Sequence, residues 1–302
     1  MLPPPEFPID RFEELFHGEP AAIERRLLAL RPRAALHPDT TIAPRIESLI
    51  ALSLAMQGKI EESFSTLDKA EQLPGAEQPL ARTRLFLERG RVFHQARRMV
   101  EARPWMVQAY RSACEAGLDY HAIDAAHMVA IVAADPVERI AWNRIAWDLA
   151  ESTRDEKAQA WRAVLLNNLG QAYVAAGRYA DALFAFQKCD REAIIRGNPL
   201  VGLGARWGIA RARRSLGHVA EARAMQRELL HEYDGLEREG TLPAELIGMA
   251  RGAVKEELAF LEPGRGREFA AAALSDLGVN TWFRDLEPAR WATLQLLACG
   301  DA

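Results

Sequence analysis

The stretch Ala163–Gly197, AVLLNNLGQAYVAAGRYADALFAFQKCDREAIIRG, decides how the whole chain is read. Leu166, Leu169 and Tyr173 recur at three- and four-residue spacing, which places them on one face of a 3.6-residue helix. Gly170 stands inside that stripe and offers a second helix a place of close approach. Gly177 then interrupts the pattern, as glycine does where a helix ends in a left-handed residue. Tyr179, Ala182, Leu183 and Phe186 open a second apolar stripe. The segment predicts a helix, a tight turn and a second helix folded back on the first.

Displacing the frame forward by forty residues puts Ala210, Gly217, Ala222 and Leu229 in the register of Gly170, Gly177, Ala182 and Cys189, without a gap. Displacing it back by eighty puts Gly90, Phe93, Ala102 and Met106 in place of Gly170, Tyr173, Ala182 and Phe186. Ala51, Leu54, Gly58, Ser63 and Leu67 make an earlier copy, Ala130 with Pro136 near the turn a degenerate one, and Ala250 a last one. The small residues Ala51, Gly90, Ala130, Gly170, Ala210 and Ala250 are thus separated by 39, 40, 40, 40 and 40 positions. A beat this regular marks a repeat array in which each hairpin buries its stripe only against its neighbours.

The unit at 163–197 resembles a tetratricopeptide repeat: Leu169 and Gly170 form its Leu-Gly pair, Tyr173 follows, and Ala182 and Phe186 stand on the second helix. It departs from that pattern at Leu166, where Trp is common, and at Ile194, where Pro often closes the unit. The period exceeds the usual repeat of about 34 residues by about six. In this it is similar to the variant repeats of the maltose-regulon activator, kinesin light chains and peptide-sensing bacterial regulators. The resemblance covers roughly residues 40 to 275. It implies an all-α fold, a right-handed α-solenoid of about six helical hairpins with capping helices at both ends. Residues 1–38 are expected to form an extension and cap, with Phe12, Leu15, Phe16, Ile23, Leu27 and Leu30 apolar. Residues 39–267 are expected to form the array. Residues 268–302, with Phe269, Leu274, Leu277, Trp282, Phe283, Trp291, Leu294 and Leu297, are expected to close it, all within one solenoid domain.

Composition removes several function classes. With 49% hydrophobic and 26% charged residues the chain is globular in type. Its net charge of −4 lacks the basic excess of a nucleic-acid binder, so no direct nucleic-acid binding is expected. No apolar run of about 18 residues predicts a membrane span, and the first ten residues lack the basic and apolar regions of a secretory leader. Cys114, Cys189 and Cys299 are far apart and form neither a C-x-x-C pair nor a disulfide framework, which fits a cytoplasmic location. His121, Asp124 and His127 fall at i, i+3 and i+6, too spread for a zinc site without a further ligand. The glycines of Gly202-Leu-Gly204-Ala-Arg-Trp-Gly208 have the wrong spacing for a dinucleotide fingerprint and no preceding strand. Gly264-Arg-Gly-Arg267 lacks the Lys-Ser/Thr ending of a phosphate loop, and no Gly-x-Ser-x-Gly elbow occurs. No catalytic residue, metal or cofactor is therefore expected, and the protein reads as non-enzymatic.

The residue after each small position runs Leu52, Arg91, Ile131, Gln171, Arg211 and Arg251. The resemblance implies that this side of each first helix points into a concave groove. His94 and Arg214, one turn after Arg91 and Arg211, would share it. Asn167 and Asn168 would add neutral amides, and by the same resemblance an Asn before the Leu-Gly pair, here Asn168, bonds the backbone of an extended peptide. Guanidinium groups pair bidentately with carboxylates, so the expected partner is a protein or peptide with an acidic segment. The function so read is that of a peptide- or protein-binding adaptor or scaffold. The alternative is a ligand- or peptide-responsive sensor acting on a separate effector. The apolar residues Trp282, Phe283, Leu286, Trp291, Leu294 and Leu297 also suggest a surface for homo-association.

Overall fold

A computed structural model describes residues 7–240, 243–279, 283–284 and 287–300. Trp282 and Leu286, assigned above to the carboxy-terminal surface, lie outside the described residues. The chain is 80% helical, with no strand among the described residues. It divides into two compact units, Met1–Leu165 and Leu166–Ala302.

In the first unit a 3-10 helix, Ile9–Leu15, is followed by α1 (Pro20–Leu28) and the single turn α2 (Arg31–Ala34). Three hairpins follow: α3 (Ile42–Met56) with α4 (Ile60–Ala70), α5 (Pro79–Gln95) with α6 (Met99–Glu115), and α7 (Asp119–Val132) with α8 (Pro136–Ser152). The short α9 (Glu156–Gln159) comes next. The boundary between the units falls near the start of α10 (Arg162–Ala175). In the second unit α10 pairs with α11 (Tyr179–Ile195), α12 (Pro199–Ser215) with α13 (Val219–Glu239), and α14 (Ala244–Leu261) with α15 (Gly266–Leu277). α16 (Pro288–Cys299) packs on α15. Among the described residues six hairpins result, the sixth drawing its second helix from residues that the sequence reading gave largely to the cap. These are TPR-like hairpins, of the kind that stack into right-handed α-solenoids.

The turns follow the period. Gly58, Gly177 and Gly217 follow the first helices of their hairpins with φ of +78°, +70° and +89°, a left-handed conformation that frees the chain to reverse. Arg97 occupies the same step of the repeat with φ +61°, at a steric cost of about 1 kcal/mol or more that glycine avoids. The beat of small residues sets the helix contacts. Ala51 and Ala210 are fully buried, and a Cβ added to Gly90 would stand 2.7 Å from Cγ of Met106. The Phe186 ring of α11 fills a slot whose walls are Gly170 of α10 and Gly208 of α12, where an added Cβ would meet the ring at 2.5 and 2.6 Å.

Both ends are closed by apolar packing. Phe12, Ile23, Leu27 and Leu30 are buried with Ile42, Ile46 and Ile50 of α3. At the other end Phe269, Leu277, Phe283 and Leu294 are buried with Val254 and Leu258, and Trp291, Leu274 and Leu297 pack against them. Each such side chain removed from water contributes about 1.5–3 kcal/mol, so much of the apolar surface suggested for homo-association is spent within the chain. No helix among the described residues is long and apolar enough to cross a membrane.

Candidate functional site

In the first unit, α5 carries Arg84, Glu88 and Arg91 at i, i+4 and i+7, one face of the helix. Glu88 is wholly buried, and one of its oxygens, Oε1, lies 3.1 Å from Arg84 Nη2 and accepts from Arg91 Nη1 at 2.9 Å. Arg91 also donates through Nη2 to Asp124 Oδ1 of α7 at 2.5 Å. Nearby, Glu13 accepts from Arg45 Nη2 of α3 at 3.1 Å and from Lys157 Nζ at 3.3 Å. Lys157 lies 4.3 Å over the ring of Tyr120. Four buried polar atoms of this cluster have no hydrogen-bond partner: Arg45 Nε, Arg84 Nε, Glu88 Oε2 and His121 Nδ1.

This charged floor opens into a cavity of about 540 Å³. Leu49, Leu52, Met56, Met128 and Ile131 form its apolar wall, and Tyr120 and Trp161 its aromatic side, their ring centroids 6.1 Å apart. Burial works to raise the Glu13 carboxyl, but the charges of Arg84 and Arg45 prevail and hold it down to about 2. Burial, reinforced by Arg84, pushes His121 down to about 4. Burial also lowers His127, and it lowers His94 together with the charges of Arg97 and Arg91. All three rings are neutral at pH 7. Burial opposes the charge on Arg91, yet Asp124 and Glu88 raise its pKa. The floor is thus a fixed array of ions beneath an apolar, aromatic wall.

Of the residues singled out from sequence, Arg91 and His94 line this cavity, as do Leu52 and Ile131 from the same register. The other participants escaped the reading. The spacing of Arg84, Glu88 and Arg91 was a legible signal, since acid and base at i, i+4 and i, i+3 share a helix face. Asp124 had been weighed only as a metal ligand beside His121 and His127, and it is engaged instead by Arg91. Among the described residues no group of His, Cys, Asp and Glu is placed to hold a metal. The approach of Lys157 to Glu13 joins residues 144 positions apart, and no local pattern announces it.

In the second unit Asn167, Asn168 and Gln171 lie half-buried on α10. Arg211 and Arg214 of α12 converge on Glu257 of α14, whose carboxylate is almost fully buried: Arg214 Nε reaches Oε2 at 2.6 Å and Arg211 Nε lies 3.5 Å from Oε1. The Arg211 guanidinium also stacks 5.3 Å over Trp207. Arg251 forms a separate network with Asp276, at 3.1 Å, and with Glu237. The sequence read these guanidinium groups as a row presented to an acidic ligand; within the chain each already has a carboxylate neighbour.

No family model matches the chain, and no curated protein matches it. Solved structures match strongly, and they are TPR-like repeat proteins, so the chain has a TPR-type repeat fold. The apo form of RapI aligns over 96% of this chain and 79% of its own, with a TM-score of 0.69 at 10% identity. NprR in complex with its cognate peptide NprX aligns over 97% and 82%, with a TM-score of 0.60 at 17% identity. A signal-transduction ATPase with a tetratricopeptide repeat sensor from Pyrococcus horikoshii aligns over 97% of this chain and 46% of its own, with a TM-score of 0.65 at 11% identity.

Proposed function

We propose that this protein is a cytoplasmic, non-enzymatic recognition protein that binds a peptide or protein segment and reports its presence to a separate effector. The observation that carries the reading is the cavity of the first unit, where a charged floor meets an apolar and aromatic wall. Such a combination of a large apolar surface with a few oriented polar groups is how a binding site gains affinity and orientation together. Its cations and carboxylates hold one another in fixed ion pairs, which suits electrostatic recognition. Structural neighbours that include a peptide-bound regulator and a repeat sensor support the same reading. In the second unit, Asn167, Asn168, Gln171, Arg211, Arg214 and Arg251 are proposed as a separate contact surface, with Arg91 and His94 belonging to the cavity.

The adaptor reading shares this binding step and differs only in whether occupancy changes the protein. The test is selection of peptides on the intact chain from a displayed random library. Selected peptides should lose affinity for an Ile131→Trp variant, which fills the cavity from a wall position that is 45% exposed and is therefore tolerant of a larger side chain. Peptides that bind wild type and Ile131→Trp equally would remove the cavity from the function. Faster or slower amide exchange in the occupied protein would mark a sensor; unchanged exchange outside the contacts would mark an adaptor.

A further inference from the structure

The ion pairs beneath the cavity are unevenly shared. Arg45, Arg84, Arg91 and Lys157 are in direct contact with three carboxylates, Glu13, Glu88 and Asp124, and the charge of Arg45 also reaches Asp39. Arg91 is held by two carboxylates, Glu88 and Asp124. Arg45 and Lys157 both engage Glu13. Arg84 shares Glu88, at 3.1 Å, and its charge also holds down the Glu13 carboxyl that Arg45 and Lys157 engage; it is 7% exposed, and its buried Nε has no hydrogen-bond partner. The three nearby histidines are neutral at pH 7 and add no charge. The buried cation that lines the cavity with a donor left unpartnered is therefore Arg84. A buried cation with an incomplete complement of acceptors is costly, and an anionic group placed beside it removes that cost.

We propose that the cavity of the first unit receives a single carboxylate attached to a compact apolar body, the carboxylate meeting Arg84 and the body lying against Tyr120 and Trp161. The volume of about 540 Å³ falls in the usual range for small-ligand clefts, about 300–1,000 Å³, and has room for a chain end or a small acid. A carboxylate offers two acceptors in the plane of a guanidinium fork, which an amide or an ammonium does not. The proposal deepens the recognition reading given above and rests on it.

Calorimetric titration of the intact chain tests it with four probes: octanoate, N-acetyl-Leu-Phe with a free carboxylate, the same dipeptide as its carboxamide, and octylammonium. At least one carboxylate should bind about tenfold or more tightly than both the carboxamide and the ammonium, the discrimination expected of a charged hydrogen bond. Octanoate alone would identify a free small acid as the ligand class, and the dipeptide acid alone a peptide C-terminus. Arg84→Gln should lower that affinity about tenfold. Glu13→Gln removes a carboxylate that competes for Arg84, and should raise the affinity. This opposite sign keeps the test decisive if Arg84→Gln fails to fold. Failure of both carboxylates, equal binding of the carboxamide or the ammonium, or weaker or unchanged binding in Glu13→Gln would each overturn the proposal. If selected peptides still bind in an Ile131-dependent way while both carboxylates fail, this inference falls and the recognition reading stands; if carboxylates bind and no peptide is selected, the peptide reading falls instead.

Discussion

Replacing Gly170 by alanine sets two effects against each other. Gly170 lies inside α10, where glycine costs about 1 kcal/mol relative to alanine, so the backbone gains from the change. The new Cβ, however, would stand 2.5, 2.7 and 2.7 Å from Cε1, Cδ1 and Cζ of Phe186, about 1 Å inside an ordinary carbon contact. The ring has no retreat. It is fully buried, and on its other side a Cβ on Gly208 would meet the same atoms at 2.6–2.7 Å, so Gly208 already lies as close as a glycine can. Overpacking of this kind costs about 1–3 kcal/mol, which exceeds the propensity gain in most of its range. Gly170→Ala should therefore destabilise the chain by about 1 kcal/mol net. Gly204→Ala is the internal control, because Gly204 also lies inside a helix but has no atom within 4 Å of its added Cβ. It should stabilise by about 0.5–1 kcal/mol. The difference between the two variants cancels propensity and isolates the contact. Urea unfolding followed by circular dichroism measures both, and Gly170→Ala in a Phe186→Leu background should recover most of its loss. If Gly170→Ala stabilises as much as Gly204→Ala, the ring does not fill this slot and the assigned helix register is wrong.

Acid should weaken the first unit. The folded pKa of His121, at about 4, lies below its ordinary value of 6.5, so the unfolded chain binds more protons between these values and stability falls by about 3 kcal/mol as pH drops from 6.5 to 4. Glu13, at about 2 folded against 4.5, adds stability above 4.5 that is lost as pH falls from there toward 2. Stability curves of wild type and His121→Gln measure this, and an equal slope in both between pH 4 and 6.5 would sink it. In the second unit, Arg214→Ala should cost about 1–3 kcal/mol by depriving the buried Glu257 of its 2.6 Å partner. Arg211→Ala, which loses a 3.5 Å contact to Glu257 and the stacking on Trp207, should cost less than Arg214→Ala, about 1 kcal/mol or below. The thiols should separate by rate: Cys114 and Cys299 are exposed and should react promptly with an aromatic disulfide reagent. Cys189, buried and with its thiol pushed up to about 12 by that burial, should react only on unfolding.

The forty-residue beat of small residues, the stripes around Leu166 and Phe186, and the glycines that follow the first helices are all local signals. Helix faces and helix ends are decided within a few residues along the chain, so six hairpins and an all-α fold were legible from the amino-acid order alone. A strict period also repeats a side-chain direction, and of the positions following Ala51, Gly90 and Ala130, Leu52, Arg91 and Ile131 line one cavity. What that cavity contains was not legible. Whether Arg91 waits for a ligand or holds Asp124 depends on the distance between α5 and α7, and whether Arg84 is left with half a partner depends on Glu13 and Lys157, brought together from residues 144 positions apart. Sequence periodicity orients a charged side chain, but its partner is chosen by through-space electrostatics across packed helices, where an ångström of separation and the loss of water set the energy; only the tertiary structure decides that.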